Sequence, residues 1–203
     1  ARTRSADASE STLTPHVLAG RIGLVTDYGK LPQQFPFHEE LFVPVPKLRR
    51  QLLQRIRAGG ITVLAGGPGA GKSWELTALM RKLRASGAVV ACHYCYLSPG
   101  DPQVQSRITL NAFYSNLMAG IVDSMPELRD ANEARYAAGA KELQWLLNEA
   151  ARLQPGKRLV VIVDGLDHIA RVLRDAPSIA AEETHIARDL LALTLPPSVS
   201  VIV

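Results

Sequence analysis

Gly66–Gly67–Pro68–Gly69–Ala70–Gly71–Lys72–Ser73 decides how the rest of this chain is read. The stretch spells G-x-x-x-x-G-K-[ST] in full. A polyphosphate can lie against bare backbone N–H groups only where side chains are absent, which accounts for the glycines. The N-terminus of a following helix adds partial positive charge. In this pattern Lys72 reaches the outer phosphates and the Ser73 hydroxyl ligates Mg²⁺. The flanks agree. Ile61–Ala65 is short, apolar and partly β-branched, as a buried strand is, and Lys72–Ser86 has helical spacing with Leu76, Leu79, Met80 and Leu83 on one face. The plainer reading is a Gly-rich turn that happens to contain Lys-Ser. Trp74 follows directly and either packs under the loop or lies near the nucleotide.

Working outward, Val89–Leu97 reads as a second strand, Leu159–Val163 as a third and Val199–Val203 as a fourth. The third is apolar throughout, so it is expected to be central and covered on both faces. Helical spacing predicts helices over Lys47–Arg57, Val104–Met125, Ala131–Leu153 and Ile179–Leu193. In the long one, Leu143, Leu146, Leu147 and Ala150 form the buried stripe. Strands that alternate with helices argue a parallel α/β sheet. Residues 1–37 read as an irregular lead-in and 38–203 as the folded core, with a flexible start over 1–14 and a wrapping segment from 15 to 46.

The chain has 203 residues, 47% of them hydrophobic and 21% charged, which suits one folded domain and excludes disorder as the main theme. Aromatic residues are only 5%, so base-stacking surfaces are not expected. A net charge of +4 permits anionic partners without demanding them. The cysteines, Cys92 and Cys95, exclude a disulfide framework and point to a reducing, cytoplasmic setting. Cys92–His93–Tyr94–Cys95 looks metal-binding, but on a strand residues three apart point to opposite faces, so packing is the better reading. No apolar run approaches the roughly 18 residues of a membrane helix, and no signal peptide is visible. The chain starts without Met and stops in an apolar run, so it reads as a piece of a longer protein. Lys47–Arg57 carries cations and no acid; a solvated face, a nucleic-acid surface and a subunit contact all fit it.

Leu159–Val160–Val161–Ile162–Val163–Asp164 ends a buried strand in a carboxylate. Beside a phosphate-binding strand such an Asp holds Mg²⁺; otherwise it caps the next turn. In the continuation Gly165–Leu166–Asp167–His168, Asp167 either orients or deprotonates the attacking water or N-caps the helix from Ile169. His168 is either a site residue or a packed, capping one.

The runs Gly66–Ser73 and Leu159–His168 together resemble the STAND class of P-loop NTPases, in particular NACHT and related bacterial modules, which carry a hydrophobic strand followed by Asp-Gly-hydrophobic-Asp-Glu. His93–Asp101 is similar to their second strand and turn, and Phe42–Leu53 to the lead-in that helps enclose adenine. The resemblance covers about residues 38–203. It implies a three-layer P-loop NTPase core with a parallel sheet in the order 2-3-4-1 and Val89–Leu97 at one edge. It implies ATP or ADP with Mg²⁺, bound by Gly66, Gly67, Pro68, Gly69, Ala70, Gly71, Lys72, Ser73 and Trp74, with Ser73 and Asp164 at the metal and Lys72 and Asp167 as catalytic groups. His168 stands where many members have Glu, which bears on hydrolysis more than on binding. A polar or Arg sensor after the fourth strand, a fifth strand and the winged-helix segment would lie beyond residue 203. Ile61–Ala65 is then an apolar edge and an aggregation hazard.

The first expectation is therefore a nucleotide-gated switch with slow hydrolysis. It would gate self-association and a fused effector in signalling or defence, with effector and sensor domains outside this chain and no membrane. The second is an AAA+-like DNA-associated ATPase, favoured by the basic helix but opposed by Gly165 and Asp167, since those motors place Glu directly after the metal-binding Asp. The third is a kinase with Arg171 and Arg174 in a lid, opposed by the strand order.

Overall fold

A computed structural model describes residues 30–128, 138–176 and 178–203. Expectations for residues 1–29 and 129–137 lie outside the described residues; of the helix read from Ala131, the described Ala138 and Gly139 are not helical, and the helix begins at Ala140 after an extended Gly139.

The sheet has four parallel strands: β1 (Gly60–Thr62), β2 (Val89–Tyr94), β3 (Leu159–Asp164) and β4 (Val199–Ile202). Their order is β1-β4-β3-β2, the expected 2-3-4-1 counted from the other edge. The register pairs Tyr94 with Asp164, and Val161 with Val201. Before β1 comes α1 (Pro46–Ala58), and between the strands run α2 (Lys72–Ala85), α3 (Val104–Arg107), α4 (Leu110–Ser124), α5 (Ala140–Leu153), α6 (Ile169–Asp175) and α7 (Ile186–Leu191).

Period-two alternation splits the strand side chains between two cores. Val89, Ala91, Val161, Val163, Val199 and Val201 pack with Phe113, Leu117, Leu143, Leu147 and Ile186 from α4, α5 and α7. Val90, Cys92, Tyr94, Val160, Ile162 and Ile202 pack with Leu52, Ile56, Leu76 and Leu79 from α1 and α2. The molecule is thus helices, sheet, helices, with β2, β3 and β4 buried along their length. Each fully buried Val or Ile contributes about 1.5–3 kcal/mol. Cys92 and Cys95 fall in opposite cores, both free thiols. Gly120 lets α4 settle onto β2: a Cβ there would stand 3.1 Å from Ala91 Cα.

Several boundaries differ from the sequence reading. Val104–Met125 is two helices, because Thr109 is extended (φ −88, ψ 149) and its side chain accepts from Ala112 N to cap α4. Ile179–Leu193 contains a 3₁₀ turn over Ala181–Thr184 and then α7. β1 is shorter than Ile61–Ala65, although Leu64 N still donates to Val203 O at 2.6 Å. The second strand ends at Tyr94 rather than Leu97. No helix among the described residues is long and apolar enough to cross a membrane.

The lead-in is tied to the core. Leu31 N donates to Asn116 Oδ1 at 2.7 Å, and Gln33 Oε1 accepts from Tyr94 N at 2.6 Å. The second bond satisfies an edge-strand donor that would otherwise face open space.

Candidate functional site

The Gly66–Ser73 loop leaves β1 and enters α2 at the C-terminal end of the sheet, where open α/β sheets place their ligands. Gly69 and Gly71 are left-handed, with φ of 75° and 80°, a conformation that L side chains rarely adopt. Gly71 is the N-cap of α2 and makes no side-chain cap bond, so the first amides of that helix face the loop without a capping side chain. Lys72 Nζ folds back to donate to Gly66 O at 2.6 Å and Gly67 O at 3.3 Å.

Across from the loop stands Asp164 at the end of β3, only 6% exposed. Burial pushes its carboxyl above the usual carboxylate range, and the charge of Asp167 adds to this; a hydrogen bond from Ser73 and the charge of Lys72 act in the opposite direction. Asp164 Oδ2 is buried with no hydrogen-bond partner. A buried carboxylate oxygen left unpaired is costly and calls for a cation.

One cleft of about 370 Å³ brings Pro68, Gly69, Ala70, Gly71, Lys72, Ser73 and Trp74 together with Asp164 and Asp167. A second cavity of about 310 Å³ shares Lys72, Asp164 and Asp167 with it and also touches Gly66. Asp167 does not cap α6: the N-cap there is His168, which makes no side-chain cap bond either. Asp167 is exposed in the 3₁₀ turn Leu166–His168 and lines both spaces.

Trp74 both lines the cleft and packs. Phe37 lies 5.2 Å from its ring centre, and Phe35 and Phe42 lie at 6.3 and 6.5 Å. Phe35 also stacks on Tyr94 at 5.7 Å and enters the cleft wall. Nothing in the local sequence around Phe35 marks it, because it arrives from an irregular segment. The cations of α1 serve partly for structure: Arg49 pairs at 2.7 Å with Glu75, a 2%-exposed carboxylate in the first turn of α2. Arg171, weighed above only for a kinase lid, is also in the cleft wall. The Cys92–Cys95 stretch forms no metal site; among the described residues no cluster of His, Cys, Asp and Glu could hold one.

No curated protein matches the chain. A family model described as Nephrocystin 3, N-terminal, matches residues 48–186, from the first turn of α1 to the start of α7, and so includes the loop, Asp164 and Asp167. That span is more than half of the sequence, and the chain belongs to the Nephrocystin 3, N-terminal family.

Proposed function

We propose that this chain is the nucleotide-binding module of a STAND-type switch, a NACHT-like P-loop domain that binds ATP or ADP with Mg²⁺ and hydrolyses ATP slowly. One observation carries the reading. Lys72 and Ser73 share a cleft with a buried carboxylate, Asp164, that has an oxygen left over. The family description is silent on nucleotides, so the reading rests on the loop pattern and on this cleft.

The parts have separable tasks. Loop amides and the start of α2 face anionic oxygens. Lys72 Nζ, parked on two neutral carbonyls, exchanges them for charged phosphate oxygens, a stronger acceptor. The Ser73 hydroxyl and the Asp164 carboxylate are hard oxygen donors and fit Mg²⁺. Mg²⁺ held there would neutralise phosphate charge and add to the positive charge that Lys72 already brings to Asp164. Asp167, exposed beside them, is the group that orients water. Trp74 and Phe35 close the side of the cleft toward the lead-in.

A switch needs tight binding, slow turnover and two states with different nucleotide affinities. In this reading the bound nucleotide gates self-association and a fused effector outside the chain, in cytoplasmic signalling or defence. The test is to release and identify nucleotide from the purified protein and to follow multiple-turnover hydrolysis with and without DNA. Lys72→Ala is the control. Held ADP with turnover far below one per second is expected. Brisk, DNA-stimulated hydrolysis would replace this reading with an AAA+-like DNA-associated ATPase. No nucleotide and no effect of Lys72→Ala would remove both.

A further inference from the structure

Arg171 is the cation of the cleft wall that the reading above leaves without a task. It lies in the first turn of α6, its guanidinium 4.7 Å from the centre of the Tyr96 ring. One of its terminal nitrogens bonds His168 Nδ1. The His168 ring in turn stacks on Tyr96, centres 4.3 Å and planes 2° apart. Gly165 makes room for this stack: its φ is 83°, and a Cβ would stand 3.3 Å from Tyr96 N and 3.7 Å from His168 Cδ2. No carboxylate pairs with Arg171 among the described residues.

The chemistry of the stack assigns each ring a role. Guanidinium nitrogens only donate, so His168 Nδ1 is the acceptor. The proton of the neutral imidazole then sits on Nε2. In this structure His168 Nδ1 is engaged by Arg171. Its work is to hold Arg171. The guanidinium spends one N–H on His168 and one face on Tyr96. It keeps the rest of its fork for a planar or tetrahedral anion. Order imposed before binding is not paid again on binding.

We propose that Arg171 is a second phosphate-binding residue of this cleft, directed at the terminal phosphate of a nucleoside triphosphate, with Tyr96 and His168 as positioning residues. The inference rests on the nucleotide reading above. The inner phosphates belong to the loop and Lys72. What extends past them meets the end of β3 and the residues after it, where Arg171 waits. Lys72 and Arg171 line the same cleft as Asp164 and Asp167.

The experiment is calorimetric titration of the chain with MgATP and with MgADP, for wild type, Arg171→Ala, Arg171→Lys, Tyr96→Leu and Lys72→Ala. Losing a bidentate charge-assisted contact weakens MgATP about 10- to 100-fold in Arg171→Ala, and MgADP less than about threefold. Arg171→Lys recovers the charge but not the fork, and so recovers only part of the loss. Tyr96→Leu lowers the ATP-to-ADP preference without removing a charge, which a merely structural role would not do. Arg171 is exposed, so its variants should melt with wild type. Equal loss for both nucleotides overturns the proposal. So does unchanged binding in Arg171→Ala while Lys72→Ala abolishes it, an outcome that leaves the nucleotide reading standing. A wild type that binds neither nucleotide removes the reading and the proposal together.

Discussion

Two buried polar groups sit side by side in this sheet and end in opposite situations. His93 on β2 is fully buried and pairs in register with Val163; one residue further, Tyr94 pairs with Asp164 on β3. Both ring nitrogens of His93 are used. Nδ1 accepts from Asn116 Nδ2 at 2.9 Å and Nε2 donates to Arg107 O at 2.8 Å, while Asn116 Oδ1 takes Leu31 N. Asp164 has Ser73 and an oxygen to spare. A saturated polar cluster stiffens a core and has nothing left for a ligand. A buried carboxylate with an unused oxygen, opening on a cleft, is a place where something binds. Other unpartnered buried nitrogens, Arg49 Nη2 and Arg107 Nη1, differ because their guanidinium groups are already paired with Glu75 and Asp101.

The contrast breaks first at Lys72. Lys72→Ala should weaken MgATP about a thousandfold, the loss of charge-assisted bonds to two phosphates, read by calorimetry. It should leave the melting temperature nearly unchanged, because its present partners are loop carbonyls near solvent.

The next largest effect belongs to the saturated side. Burial holds the His93 pKa down at about 4, below its ordinary 6.5. Between those values the unfolded chain takes up a proton that the folded chain refuses, so stability is complete above the unfolded value and falls as pH drops toward 4. The loss from this group should reach about 3 kcal/mol near pH 4. Denaturant midpoints measured from pH 7 to 4 check it. His93→Gln should be less stable at pH 7 yet lose less on acidification; an equally steep profile would show that another group carries the acid sensitivity.

Asp167→Asn tests the open side without touching the metal ligands. Hydrolysis should fall about 10- to 100-fold with the affinity for MgATP retained, as expected for a water-orienting carboxylate. An unchanged rate would assign the water to another group. Gly165→Ala bears on both regions, since Gly165 separates Asp164 from the Tyr96–His168 stack. Positive φ and the close approach of Tyr96 N should cost about 1–3 kcal/mol, visible as a lowered melting temperature. The smallest effect is at the exposed edge. Val63 is 74% exposed beside β1, and Val63→Lys should change stability by less than about 0.5 kcal/mol while reducing concentration-dependent association in light scattering.

Much of this was legible in the sequence where the signal is local. The loop, the four strands and the Asp164 strand end are runs of neighbouring residues whose spacing states their geometry. Thr109 was legible in principle as a cap, yet the apolar periodicity of Val104–Met125 hid the break, because both halves bury the same face. Phe35, the Arg49–Glu75 pair and the stacking of Tyr96 on His168 were not legible. Their partners lie 26 to 72 positions away or arrive from irregular chain, and no periodicity relates them.

By itself, then, the sequence determined the parallel α/β class, the alternation of its elements and the phosphate-loop pattern with its acidic strand end. Those follow from hydrophobic periodicity and backbone sterics, which act over a few residues. Only the tertiary structure decided which buried polar groups are satisfied, that His93 is spent on packing, that Asp164 keeps an oxygen free, and that Tyr96 stacks on His168. Saturation of a polar group depends on what chain folding brings within 3 Å of it, and that proximity is written in no single stretch of residues.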